Sequence, residues 1–116
     1  VVILELGGND GLRGLPVAEV RANFESLVKL SRGAGAKVLL VGMRIPPNYG
    51  PAYAGAFHAL YGDLAQRYEL PLVPFFLDGI ALDDSLMLDD GLHPNAAAQP
   101  KLLELVWPEL KPLLKR

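Results

Sequence analysis

Three short apolar runs, each followed by a longer segment with helical spacing, limit the fold of this chain more than any other feature. The runs cover residues 1–6, 37–42 and 70–76, and Pro71 and Pro74 interrupt the third. Strands that are apolar on both faces are typical of parallel sheets, because helical crossovers cover both faces of the sheet. The sequence therefore predicts an α/β fold with a parallel sheet and three strand-helix units.

The segments between these runs carry apolar residues at helical intervals. Residues 16–33 and 53–68 form the first two predicted helices, and the first one opens on a proline and closes on a glycine. The third follows Asn95, a good helix cap. We expect Pro108 to kink or break this last helix and Pro112 to limit its end.

The composition excludes several classes of function. The chain has 116 residues, 51% of them hydrophobic, and a net charge of -2, which fits one small domain and offers no basic patch for nucleic acid. There is no cysteine, and no apolar run approaches the roughly 20 residues that span a bilayer. Because the chain opens directly on the apolar residue Val1, we expect residues 1–116 to be the carboxyl-terminal portion of a larger domain.

The loops that follow the three strands hold the candidate functional residues. In parallel α/β sheets, ligands bind beyond the carboxyl ends of the strands. Those ends lead into residues 7–14, 43–51 and 77–95. We therefore expect these three loops to meet on one rim of the sheet.

Asp90 and His93, three residues apart, form the strongest candidate pair. A compact turn lets Asp90 accept a hydrogen bond from one ring nitrogen of His93, which leaves the other nitrogen free to take a proton from a nucleophile. Pro94 biases His93 towards extended backbone and stiffens the turn. The alternative is a loop carboxylate beside a histidine at a helix entrance.

The segment from Gly7 to Asp10 follows the first strand and contains Asn9. It is either a plain glycine turn or a turn that directs the Asn9 amide towards a developing oxyanion. His58 lies within a predicted helix and is expected to be a surface or packing residue. Two dispersed histidines without cysteine do not predict a zinc site, and the scattered aspartates do not match a calcium loop.

With both motifs in place, the chain resembles the SGNH (GDSL-type) hydrolases, closest to the acyl-CoA thioesterase I, arylesterase and lysophospholipase L1 group. Gly-Gly-Asn-Asp at residues 7–10 matches that family's third block, and Asp-Gly-Leu-His-Pro at residues 90–94 matches its fifth. The resemblance implies a flavodoxin-like three-layer α/β/α fold. It also implies ester or thioester hydrolysis without a metal or other cofactor, on a small acyl substrate.

By this resemblance, His93 is the general base, Asp90 orients it, and Asn9 is an oxyanion donor. Residues 11–14 resemble the mobile loop beside the acyl site, and the loop at 44–51 helps to line the cleft. The expected substrate-binding residues are Gly8, Asp10, Gly11, Leu12, Arg44, Pro46 and Tyr49.

The family's nucleophilic serine block is absent from these 116 residues. Ser26 and Ser31 fall on a predicted helix, and Ser85 lies in a loop without a nucleophile turn. Without the family's preceding strand, the strand at residues 1–6 becomes an apolar sheet edge. The expected partner is therefore the missing amino-terminal half of the same domain, or a second copy that replaces it.

The leading hypothesis is an esterase, thioesterase or lysophospholipase that is inactive as this chain alone. The alternatives are a fragment or domain-swapped assembly that associates through its open sheet edge, and a carbohydrate-ester hydrolase on the same scaffold. The resemblance favours a periplasmic or secreted protein.

Overall fold

The structure, a computed structural model, describes residues 1–114 apart from the side chain of Pro47. The strands are β1 (Val2–Leu4), β2 (Val38–Val41) and β3 (Leu72–Val73). The α-helices are α1 (Gly8–Leu12), α2 (Val17–Gly33), α3 (Pro51–Tyr68) and α4 (Gln99–Leu110). Short 3₁₀ helices cover Pro47–Tyr49, Asp84–Leu86, Ala96–Ala98 and Lys111–Leu114.

The three strands form one parallel sheet in the order β1-β2-β3, as the alternating pattern predicts. Ile3 pairs with Leu39, and Val41 pairs with Val73. Each connection contains a helix, so all three strands run in the same direction and end at the same rim. This shared rim brings together the loops that carry the candidate residues.

Helices α2 and α3 cover one face of the sheet. The buried aromatic rings of Phe24, Phe57 and Tyr61 pack edge to face, with centroids 5.4 Å apart for Phe24–Tyr61 and 5.7 Å apart for Phe57–Tyr61. Each such pair contributes roughly 0.5–1.5 kcal/mol beyond the area it buries. The Tyr61 hydroxyl also donates to the Leu6 carbonyl oxygen at 2.8 Å, so the aromatic cluster holds the chain where it leaves β1.

Helix α4 covers the opposite face, but only over β2 and β3. Leu39, Val41 and Val73 are buried there, against partly buried residues that include Leu105 and Val106. The protein therefore has the three α/β/α layers that the resemblance implied. On this face Ile3 remains 46% exposed, and β1 is the outer strand of the sheet.

The third strand is short, as the sequence predicts, and covers only two residues, because Pro71 and Pro74 on either side lack the N–H that a longer ladder needs. The segment after β1 differs from the prediction. A turn was expected there, either a plain one or one that directs the Asn9 amide, but residues 8–12 form a short helix. Gly11 N–H donates to the Gly7 carbonyl at 2.9 Å and begins that helix.

We expected Pro108 to kink or break the last helix. The expectation of a break was wrong, because α4 continues through Pro108 to Leu110. Pro108 and Glu104, one turn earlier, are both exposed. On the solvent side of a helix, water can bond to the carbonyl that a proline leaves without an N–H partner. The regular helix ends two residues before Pro112, in agreement with the expected limit.

We predict that Gly42→Ala destabilises the protein by about 1–3 kcal/mol. A Cβ at Gly42 would overlap the Pro74 carbonyl oxygen, a backbone atom that moves only if β3 shifts. Gly62→Ala is the matched control, because a Cβ there meets nothing and alanine in mid-helix gains about 0.5–1 kcal/mol. Denaturant unfolding of the three proteins measures both effects, and equal stability of the two variants would contradict the packing described here.

Candidate active site

His93 lies in a tight hairpin between the Asp84–Leu86 helix and α4. Leu88 N–H donates to the His93 carbonyl at 2.8 Å, and Met87 forms an antiparallel bridge with Pro94. The chain reverses at Gly91, whose φ of 68° favours glycine. The hairpin therefore presents the imidazole at the rim, with 70% of the His93 side chain exposed.

The Asp90 carboxylate holds this hairpin through both of its oxygens. Its Oδ1 accepts from the backbone N–H of Leu92 at 2.9 Å and of His93 at 3.0 Å, and its Oδ2 lies 2.6 Å from His93 Nδ1. The contact expected from the three-residue spacing is therefore present. The hydrogen bond from the His93 ring, followed by those from the two backbone N–H groups, lowers the pKa of Asp90 to about 2. Asp90 remains an ionised acceptor at neutral pH.

Asn95 joins the base of the hairpin to α4. Its side chain donates to the Ser85 carbonyl at 2.8 Å and accepts from Ala98 N–H at 3.2 Å, as predicted for a helix cap. Its backbone N–H donates to the Leu86 carbonyl at 2.8 Å. Because one residue bonds to both neighbouring segments, the position of His93 depends on the start of α4.

Asn9 is presented by α1, the short helix at the end of β1. Gly7 starts this helix with a φ of 100°, and a Cβ there would overlap the Tyr61 hydroxyl and crowd the Phe24 ring. Glycine is therefore required for both conformation and space. Asn9 is exposed, and within residues 1–114 its side-chain amide makes no hydrogen bond, so its N–H groups are available to a ligand.

An open cleft of about 1370 Å³ lies along the carboxyl ends of the strands and the adjoining face beside α4. Asn9 and His93 both line it, as the topology predicts. The expected substrate-binding residues found in its wall are Gly8, Asp10, Leu12, Arg44 and Pro46.

Gly11 and Tyr49, the other two expected substrate-binding residues, lie outside this wall in the described part of the chain. Gly11 is buried, and a Cβ on it would lie 2.7 Å from Ile45 Cγ2 and 2.9 Å from the Phe57 ring. It therefore packs α1 against the core instead of lining the cleft. Tyr49 is 44% exposed in the 3₁₀ helix that precedes α3.

The cleft also contains residues that the sequence-based prediction did not assign to it, among them Phe75, Glu5 and His58. Phe75 lines the cleft, and the centroid of its ring lies 5.7 Å from the guanidinium carbon of Arg44. Glu5 lines it directly after β1, where a carboxylate interrupts an otherwise apolar run. That interruption was the available signal, because an acid at the carboxyl end of a buried strand faces the usual ligand site.

No serine lines the cleft in residues 1–114. The Ser31 hydroxyl donates to the Leu27 carbonyl at 2.8 Å within α2, and Ser26 is exposed on the same helix. The Ser85 hydroxyl donates to Asp83 at 2.6 Å. Each serine is therefore either bonded elsewhere or remote from His93.

Residues 1–114 hold no group of three or more His, Asp or Glu side chains placed to bind a metal ion. None of their helices is both long enough and apolar enough to cross a membrane.

The parallel α/β sheet thus places an Asp–His pair and an asparagine amide without a hydrogen-bond partner in residues 1–114 on the wall of one cleft. A model of the GDSL-like lipase/acylhydrolase family matches residues 1–99. The chain therefore belongs to this family, and the resemblance drawn from the two sequence blocks is confirmed.

Relatives of the chain are named as ester and thioester hydrolases. It is 54% identical over 114 residues to "Esterase TesA" of Pseudomonas aeruginosa, covering 98% of this chain and 57% of the relative. It is 41% identical over 113 residues to "Thioesterase 1/protease 1/lysophospholipase L1" of Escherichia coli K12, covering 97% and 54%. A solved structure titled "Crystal Structure of TesA" superposes with a TM-score of 0.92, at 54% identity, over 98% of this chain and 63% of that one. The chain thus spans little more than half the length of these curated relatives.

We predict that Asp90 titrates near pH 2 and that His93→Ala raises this midpoint towards the ordinary value of 3.8. Because the folded pKa is the lower one, the charged carboxylate favours the hairpin above about pH 4, and this contribution is lost as the pH falls through 2. Carbon-13 NMR of the carboxyl group measures the midpoint. Leu92→Ala keeps its backbone N–H and should leave the midpoint low, whereas an unchanged midpoint in His93→Ala would contradict the assigned bond.

Proposed function

We propose that this chain supplies the Asp–His pair and an oxyanion donor of a serine ester or thioester hydrolase, whose nucleophilic serine lies outside these 116 residues. The observation that carries the proposal is the 2.6 Å contact between Asp90 Oδ2 and His93 Nδ1 beside the cleft that Asn9 also lines. The family and the names of its relatives support an acyl ester or thioester as substrate.

In the proposed reaction, His93 Nε2 takes the proton of the serine hydroxyl as its oxygen attacks the acyl carbonyl. Asp90 holds the ring through Nδ1 and stabilises the imidazolium that forms, while the Asn9 amide donates to the oxyanion. The imidazolium returns the proton to the departing alcohol or thiol, which leaves an acyl-serine. His93 then takes a proton from water as the water oxygen attacks the acyl-serine. The imidazolium returns that proton to the serine oxygen as the bond to the acyl carbon breaks, which releases the carboxylic acid and restores the serine hydroxyl.

The size of the cleft is compatible with a further segment of protein that completes the site. Pockets for small molecules usually measure about 300–1,000 Å³, less than the 1370 Å³ found here. The cleft has room for an acyl ligand and for a neighbouring segment of protein. We therefore expect the chain alone to be inactive and a longer protein to complete the site.

We predict that a completed protein hydrolyses short para-nitrophenyl esters. In this protein, the upstream portion of "Esterase TesA", which this chain does not match, is joined to residues 1–116. In this completed protein, His93→Ala should lower kcat at least about a thousandfold, because the ring is both base and acid. Asp90→Asn should lower it at least about a hundredfold. Steady-state kinetics measure the completed protein and its two variants, and the 116-residue chain alone is measured alongside them.

The second histidine provides the control. His58 lies on α3 and lines the same cleft, but it bonds to neither Asp90 nor His93, so His58→Ala should lower kcat far less than His93→Ala. Thermal unfolding of each variant separates lost chemistry from lost folding. Full activity of a folded His93→Ala protein would end the proposal.

The open edge of the sheet favours association as a second candidate function of this chain. Within residues 1–114, β1 pairs with β2 alone, and Val1 and Leu6 are 52% and 51% exposed beside it. An unpaired apolar edge recruits another strand. The occupant is either the upstream half of the domain or a second copy of the chain.

We predict that the chain alone self-associates and that Ile3→Lys weakens this association, because a charge beside an edge strand opposes strand addition. Leu30→Lys is the matched control, since Leu30 is 73% exposed on α2. Sedimentation velocity at several concentrations measures the oligomer. A monomer at every concentration would remove self-association from consideration.

A further inference from the structure

Glu5 is a second carboxylate beside His93 that the proposed mechanism has not used. It directly follows β1, and the alternation of the strand directs it away from buried Leu4, towards the side of the sheet where Ile3 lies. Leu105 and Glu109 of α4 line the cleft on that side, and His93 also lines this cleft. The end of β1, the hairpin and α4 therefore line one cleft, and Glu5 and His93 both belong to its wall.

The charges of Glu5 and His93 influence each other. Burial raises the pKa of the Glu5 carboxyl above its ordinary value, and the nearby His93 charge opposes this rise. Coupling between two sites is reciprocal, so a carboxylate that is stabilised by an imidazolium stabilises that imidazolium equally. Segments that cover β1 would displace water and strengthen the attraction.

Glu5 acts through space and not by direct contact. Within residues 1–114, the imidazole bonds to Asp90 through Nδ1, and Glu5 makes no hydrogen bond with the ring. A carboxylate bonded to Nε2 would occupy the nitrogen that must meet the nucleophile. The placement of Glu5 therefore adds negative charge while leaving Nε2 open.

The other charged and titratable groups around the cleft are predominantly acidic. They are Asp10 on α1, Arg44 after β2, His58 on α3, Asp78 after β3, Asp90 in the hairpin and Glu109 on α4, and Tyr61 on α3 interacts electrostatically with Glu5. Arg44, the cation of this set, packs against Phe75. The charge of His93 acts on the Glu5 carboxylate.

We propose that Glu5 is a positioning residue that stabilises the positively charged form of His93 during acyl transfer. This inference rests on the proposed function and deepens it. Glu5 lowers the energy of the imidazolium that exists between serine deprotonation and leaving-group protonation. Asp90 aligns the ring, and Glu5 adds negative charge from the end of β1.

The completed protein tests this role through Glu5→Gln, which keeps the side-chain shape and removes the charge. We expect kcat on the pH plateau to fall about threefold and KM to change less than about twofold. The acid limb of the kcat/KM profile should move about half a pH unit lower, because the neutral base persists to lower pH. Glu5→Asp should restore most of the wild-type profile.

Glu109→Gln is the matched control, since it removes a carboxylate from the same cleft wall. It should leave the acid limb in place. Equal displacement by both variants, or displacement by neither, would overturn the inference. A loss of kcat in Glu5→Gln without movement of the acid limb would indicate a structural role and would overturn it as well.

A second measurement does not depend on catalysis. Carbon-13 NMR should show that the Glu5 carboxyl titrates at higher pH in His93→Gln than in the wild type, since a charge that lowers the pKa of Glu5 is lost. An unchanged midpoint overturns the coupling. If hydrolysis fails but this shift is found, the proposed function falls and the electrostatic pair stands.

Discussion

The parallel pairing of three short strands is the constraint on which the rest of the structure depends. Because all three strands end at one rim, the glycine-rich helix after β1 and the hairpin of His93 face a common cleft although more than 80 positions separate them. The aromatic cluster beneath the rim stabilises this arrangement, since Tyr61 bonds to the backbone at the end of β1. Sheet topology and core packing thus bring the candidate residues together.

Local hydrogen bonds then determine how each group is presented. Asp90 accepts three hydrogen bonds from its own turn and ring partner, so its charge is retained and the imidazole is oriented without help from a distant segment. The position of Asn9 depends instead on backbone shape. Asn9 lies in a helix of five residues that begins after Gly7, where no other residue type fits. One group is held by its own hydrogen bonds, and the other by backbone shape and the aromatic core.

Much of the fold and part of the site could be predicted from sequence. The parallel order, the long helices, the Asn95 cap and the Asp90–His93 contact follow from patterns within a few residues of each other. The short helix at residues 8–12 was not foreseen, because two glycines and an asparagine are more typical of a turn. The contacts of Gly11 with the core override this local preference.

The sequence by itself determined the alternation of strands and helices, the family and the pair of catalytic candidates, since these depend on residue type and short spacing. Only the tertiary structure decided that Gly11 packs the core, that helix α4 passes through Pro108, and that Glu5 shares a cleft with His93. These outcomes depend on contacts between segments far apart in the chain. Local propensity contributes at most about 1 kcal/mol per ordinary residue, and the packing of distant segments outweighs it.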